Sequence, residues 1–185
     1  MVTLETPICE FGKKAHDFEL PGVDGRTWSL QQCMGENDLL IMFICNHCPY
    51  VKAVLDRIIR DTNDLKQLGI NSVAIMSNDT IEYPADSFDN MKLLAEQLNF
   101  GFPYLLDETQ QTAKDYGAVC TPDFFGYNAD FELQYRGRLD ASRKETAPAG
   151  TRRDLFEAMK LVAETGRGPQ QQIPSMGCSI KWKQD

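Results

Sequence analysis

The run Leu39-Leu40-Ile41-Met42-Phe43-Ile44 has no polar break and ends in Cys45-Asn46-His47-Cys48-Pro49. Such a run predicts a central strand covered on both faces, because a strand open to water on one side alternates instead. Pro49 suits the first turn of a helix, where its missing N–H costs nothing. Val51, Val54, Leu55, Ile58, Leu65 and Leu68 then fall on one stripe at 3.6-residue spacing, and Gly69 is placed to end the helix. A buried strand that runs straight into an amphipathic helix commits the chain to an α/β arrangement, and two thiols stand at the junction.

The remaining segments fit that commitment. Residues 15–30 read as a hairpin, with Phe18, Leu20, Trp28 and Leu30 alternating about a turn from Gly22 to Gly25. Ser72 to Met76 predicts another buried strand, and Phe88, Met91, Leu94, Ala95 and Leu98 a second amphipathic helix, before Pro103 restarts an extended segment. A short helix around Gln110 to Tyr116 closes at Gly117. Asn128-Ala129-Asp130 predicts a turn into Phe131 to Arg136, and a last helix near Thr151 points Leu155, Met159 and Val162 inward and ends at Gly166. With right-handed crossovers, this order predicts a central mixed β-sheet flanked by helices, with an N-terminal β-hairpin and a C-terminal tail. The expectation is one domain over 1–185, with 168–185 as the tail.

Composition narrows the chemistry. Lys and Arg number 19 against 27 Asp and Glu, for a net charge of −8. That balance argues against nucleic acid as a partner. The longest apolar run, Leu39 to Cys45, is far short of the roughly 20 residues of a membrane span, and the first residues lack the basic and apolar regions of a signal peptide. Six cysteines occur, at 9, 33, 45, 48, 120 and 178. In a chain able to build an ordinary core they do not read as a disulfide scaffold. The expectation is a cytoplasmic protein with reduced thiols and no cofactor.

Cys45 and Cys48 carry the strongest signal. A C-x-x-C pair within a βαβ pattern points to redox chemistry. Unpaired N–H groups and the positive end of the helix dipole stabilise a thiolate at such a junction, and a thiol three residues on is within reach of the first. The plainer alternative is two buried core cysteines.

The chain resembles a thioredoxin-fold redoxin of the peroxiredoxin-like branch of the AhpC/TSA family. The residues that carry the likeness are Cys45 to Lys52, Ser77-Asn78-Asp79 with Tyr83-Pro84, Gly117 to Phe125, Tyr135 to Asp140, and Pro174 to Lys183. The resemblance implies a thioredoxin-like fold in which Thr121-Pro122 form a substrate-facing cis-proline loop, with backbone groups free to pair with a partner. It implies a disulfide or peroxide substrate, protein or small molecule, and a thiol reductant. The peroxidatic frame P-x-x-x-T/S-x-x-C is absent. Counting back three and seven positions from Cys48 reaches Cys45 and Ile41, and from Cys45 reaches Met42 and Asp38. Dithiol–disulfide exchange, with Cys45 attacking and Cys48 resolving, is therefore expected ahead of peroxide reduction, and ahead of a non-catalytic metal-binding or redox-sensing module.

Three further residues belong to the candidate site. His47 precedes the second cysteine, where a charged imidazole would favour a Cys45 thiolate and make Cys45 markedly acidic. Cys120 abuts the cis-proline loop, and Cys178 lies in a tail whose Pro174 and Gly177 allow it to fold back. Both are candidate accessory thiols. Cys45, Cys48, Cys120 and His47 also have metal-ligand chemistry, though not a known zinc spacing, and no metal is expected. Cys9 and Cys33 are read as structural. Arg136, Arg138 and Asp140 are read as a solvated strand face, with substrate orientation or a structural ion pair near the site as the alternative.

Overall fold

The computed structural model describes residues 2–184. Strand β1 (Thr3–Glu5) comes first, followed by the hairpin β2 (Glu19–Pro21) and β3 (Thr27–Ser29). Gly25, at φ +81°, makes the tight turn that joins the hairpin strands. Ser29 then caps a short helix α1 (Leu30–Cys33), exchanging hydrogen bonds with Gln32 in a capping box.

Strand β4 (Asp38–Phe43) is buried at every position, as its composition predicts. It leads to α2 (Pro49–Lys52) and α3 (Leu55–Lys66), and β5 (Ile70–Met76) follows. The single helix expected here is broken, because the chain turns at Ala53–Val54 between α2 and α3. The apolar stripe survives the break, since Val51, Val54, Leu55, Ile58 and Leu65 are all buried. A 3₁₀ turn at Pro84–Asp86 precedes α4 (Phe88–Gln97), then β6 (Tyr104–Leu106) and α5 (Gln111–Tyr116). The second half adds β7 (Cys120–Thr121), β8 (Asp123–Tyr127), β9 (Leu133–Tyr135), α6 (Asp154–Thr165) and β10 (Met176–Ser179).

The central sheet has the order β6-β5-β4-β8-β9. Strands β4, β5 and β6 run parallel, whereas β8 is antiparallel to β4, and β9 to β8. Strand alternation sends Leu40 and Met42 to one face, against Ile58 and Leu65 of α3 and Leu155 and Met159 of α6. Leu39, Ile41 and Phe43 face the hairpin, α1 and α5, against Phe18, Leu30, Ala113 and Tyr116. Each large side chain so enclosed stabilises the fold by about 1.5–3 kcal/mol.

A second, small sheet brings both ends of the chain together, in the order β1-β10-β7. The tail therefore folds back, and Cys178 pairs with Thr121 on one side and Thr3 on the other. Gly177 makes this approach feasible, since a Cβ there would collide with the carbonyl group of Thr121.

The charged triplet is not a solvated face. Arg136 is buried and pairs with Asp123 at 3.0 Å, Asp140 is buried against Arg57 at 2.7 Å, and Arg138 meets Asp154 at 2.7 Å. The alternation that resembled an exposed strand instead supplies ion pairs that tie β9 and the loop after it to β8, α3 and α6. Among the described residues, no helix is long and apolar enough to cross a membrane.

Candidate active site

The site is assembled where β4 leaves the sheet. Ile44 still donates its N–H to the Ile75 carbonyl, at 3.1 Å, and Cys45 follows immediately. Cys48 stands at the N-cap of α2 in extended conformation, and Pro49 opens the first turn. The Thr121–Pro122 bond is cis, as the resemblance implies. Thr121 touches both sulfurs. Its Oγ1 lies 3.4 Å from the Cys45 sulfur, and its carbonyl oxygen 3.2 Å from that of Cys48, which donates to it while protonated.

Both cysteines are free and shut away from water, with Cys45 1% and Cys48 0% exposed. The cover is the small sheet, because β10 occupies the edge of the cis-proline loop. The backbone groups expected to be free for a partner are thus already engaged by the chain's own tail.

The electrostatics also differ from the sequence expectation. Cys48 is held down at about 4, chiefly by the hydrogen bond from Cys45, with further help from Cys178, Thr121 and the backbone of Val51, against the opposing effect of burial. Cys45 is pushed well up by that same shared hydrogen bond, by burial and by the charge of Asp86. The direction is therefore that Cys48, at the helix N-terminus, ionises more readily than Cys45. An acidic Cys45 was expected from its position beside His47. The reversal comes first from the hydrogen bond that Cys45 shares with Cys48, then from burial, and then from Asp86, a carboxylate that the linear spacing does not reveal.

Asp86 is fully buried at the 3₁₀ turn. It accepts from the backbone N–H groups of Asn46 and His47 at 2.8 and 3.2 Å, and from the Asn78 side-chain amide at 2.8 Å. His47 Nδ1 lies 2.6 Å from its other oxygen. The imidazole stacks on Tyr83, with ring centroids 5.6 Å apart and planes 9° from parallel. His47 therefore reaches the site through Asp86. The buried Tyr104 hydroxyl donates to Asn46 Oδ1 at 2.9 Å and fixes the same loop from the side of β6.

Of the accessory thiols, Cys178 enters the cluster and is hydrogen-bonded to Cys48. Cys120 is buried one residue from Thr121, and its thiol donates to the Pro122 carbonyl at 3.7 Å rather than to the pair. The four-ligand metal set of Cys45, Cys48, Cys120 and His47 is not gathered. Among the described residues, the donors that come within 4.8 Å of one another are those of Cys45, His47 and Asp86. Cys33 is buried under the hairpin and Cys9 is half-buried, both away from the pair.

The chain matches the AhpC/TSA family over residues 11–142. It belongs to that family. This redoxin is similar to a solved structure of an uncharacterised conserved protein from Geobacillus kaustophilus, with 44% identity and a TM-score of 0.93. That likeness covers 100% of this chain and 98% of the other. A hypothetical protein from Sinorhizobium meliloti is 34% identical with a TM-score of 0.89, covering 100% of both chains. The fold alone is shared with the thioredoxin domain of a thiol-disulfide oxidoreductase from Bacteroides vulgatus. It is 14% identical with a TM-score of 0.61, over 83% of this chain and 97% of that one. Comparison with curated proteins gives no match. The fold is thioredoxin-like, and family membership makes the protein an oxidoreductase of the redoxin type.

Proposed function

We propose that this redoxin is a thiol–disulfide oxidoreductase that works through the Cys45/Cys48 pair with a thiol reductant, in the reducing setting of the cytoplasm. The observation that carries the reading is one contact set. Two hydrogen-bonded thiols at a strand-to-helix junction both touch Thr121 of a cis-proline loop. Transfer of the Cys45 proton to Cys48 creates the attacking thiolate with no change in the net charge of the pair. Cys45 attacks a substrate sulfur, and the electron pair leaves on the other substrate sulfur, which takes up a proton. Cys48, once deprotonated, attacks Cys45, releases the second substrate thiol and leaves a Cys45–Cys48 disulfide for the reductant. Asp86, His47 and Asn78 position the loop between the cysteines.

A second reading, reduction of a peroxide by the same pair, is favoured by one observation. The thiols lie beneath the tail sheet, which already fills the cis-proline edge, so a small molecule reaches them more readily than a peptide strand does.

Oxidised glutathione tests the first reading. Wild type is expected to end as the Cys45–Cys48 disulfide, and Cys48→Ser to stop as a glutathione adduct on Cys45. A wild-type protein that forms no intramolecular disulfide overturns the proposal. Peroxide consumption with dithiothreitol as donor, faster than disulfide reduction, would select the second reading.

A further inference from the structure

The C-terminal strand occupies the place that a substrate strand would take. β10 runs antiparallel to β7 along the cis-proline edge, with Cys178 opposite Thr121 and Ser179 opposite Cys120. The Ile180 N–H continues the pairing by donating to the Val119 carbonyl, at 3.2 Å. Thr121 is also the residue in contact with both sulfurs of the pair, so the strand that pairs with it sets its own side chain beside them. That side chain is a thiol, buried in the same cluster as Cys45 and Cys48 and hydrogen-bonded to Cys48.

The chain is built to hold this position. Gly177 lets β10 approach the Thr121 carbonyl. Ser175 donates from its hydroxyl to the Pro122 carbonyl at 2.9 Å and from its backbone to Thr6 Oγ1 at 3.0 Å, pinning the strand before Cys178. After it, the Lys181 N–H donates to Asn78 Oδ1 at 2.9 Å, and Asn78 in turn holds Asp86. The tail and the Asn46–His47 loop are thus tied to the same carboxylate.

We propose that Cys178 is a third redox residue, an internal exchange partner that takes the disulfide from the Cys45/Cys48 pair; this rests on the dithiol reading above. The Cys178 thiolate attacks the Cys48 sulfur of the Cys45–Cys48 disulfide. The Cys48–Cys178 bond forms and the Cys45–Cys48 bond breaks. The electron pair leaves on Cys45, which gains the proton that Cys178 lost. No outside oxidant is consumed, because the two-electron oxidation is only moved. The exchange returns Cys45 to the thiol state while the oxidising equivalent is stored between α2 and the tail. Burial and the neighbouring Cys48 charge push Cys178 up to about 12, and Lys181 opposes them. Once Cys48 is in a disulfide its charge is gone, so Cys178 becomes easier to ionise at the step that needs it.

The test uses the full chain, oxidised glutathione and linkage mapping by mass spectrometry. Wild type is expected to carry both the Cys45–Cys48 and Cys48–Cys178 linkages. Cys45→Ser is expected to close Cys48–Cys178 in more than half of its chains. If wild type forms Cys45–Cys48 but never a linkage to Cys178, this proposal fails while the dithiol reading stands. If wild type forms neither linkage, both fail. A Cys45→Ser protein of native circular dichroism that stops as a glutathione adduct on Cys48 also overturns the proposal.

Discussion

The two ends of β4 bury the same kinds of polar group and treat them in opposite ways. At the entry end, Cys33 is pushed up to about 12 by burial, and Asp38 is raised to about 6 by burial, against a weaker hydrogen bond to Ala129. One Asp38 oxygen has no hydrogen-bond partner. At the exit end, Cys48 is no less buried, yet it falls to about 4 because hydrogen bonds from two thiols, Thr121 and a helix N-terminus outweigh desolvation. Asp86, also buried there, faces four polar hydrogens or ring atoms from three residues. Burial alone makes a sulfur or carboxylate inert and costly. Burial with donors makes it a reagent or a brace.

The sharpest way to break this contrast is to delete one sulfur at each end. Cys48→Ser is expected to lower disulfide turnover at least about 10³-fold. Cys33→Ser is expected to leave turnover unchanged and to cost about 1–3 kcal/mol in urea unfolding, the penalty of a buried hydroxyl. Equal losses of turnover would erase the distinction. Next in size, Asp86→Ala strands the N–H groups of Asn46, His47 and Asn78 and is expected to cost about 3–5 kcal/mol. Asp86→Asn keeps more of the structure and removes the charge that raises Cys45. Alkylation of Cys45 should then set in at a lower pH, and an unmoved profile would show that the carboxylate does not govern that thiol.

Asp38→Asn probes the other end, and the sign is opposite. A carboxyl whose folded value is raised from 3.8 to about 6 contributes stability that is full below pH 4 and lost as pH rises through 6. The variant should therefore be more stable than wild type at pH 7 by about 1–3 kcal/mol, and the two should converge below pH 4. The smallest signal is spectroscopic. Thiolate absorbance near neutral pH should report one thiolate per reduced chain, lost as pH falls through about 4, and Cys48→Ser should abolish it.

Local chemistry made much of this legible in the sequence. The apolar run of β4, the C-x-x-C spacing, the glycine stops and the Thr121-Pro122 dipeptide each act over a few residues, and the resemblance joined them into one site. The capping box of α1 is equally local, with Ser29 and Gln32 at S-x-x-Q spacing, but it overlaps the alternation that extends the hairpin to Leu30. What could not be read was distance. Asp86 meets His47 across 39 positions and through a turn whose composition says nothing of its target. The break at Ala53–Val54 is hidden because the apolar stripe continues through it. Arg136 and Asp140 sit in an alternating pattern that burial, not sequence, distinguishes from a wet surface. The tail folds back as Pro174 and Gly177 permit, but only the pairing of β10 with β7 shows that it closes the cis-proline edge.

That pairing makes the tail's chemistry a matter of parity. Successive side chains of a strand point to opposite sides, so Cys178 meets Cys48 only because an even frame links it to Thr121. One residue inserted or lost between Ser175 and Cys178 would leave a strand that still pairs yet turns its sulfur outward. A slip of two would restore the direction and deliver Met176 or Ile180 instead, neither of which can exchange a disulfide. If Cys178 exchanges with the pair as proposed, the length of the tail is as strict a requirement for that exchange as the identity of the cysteine it carries.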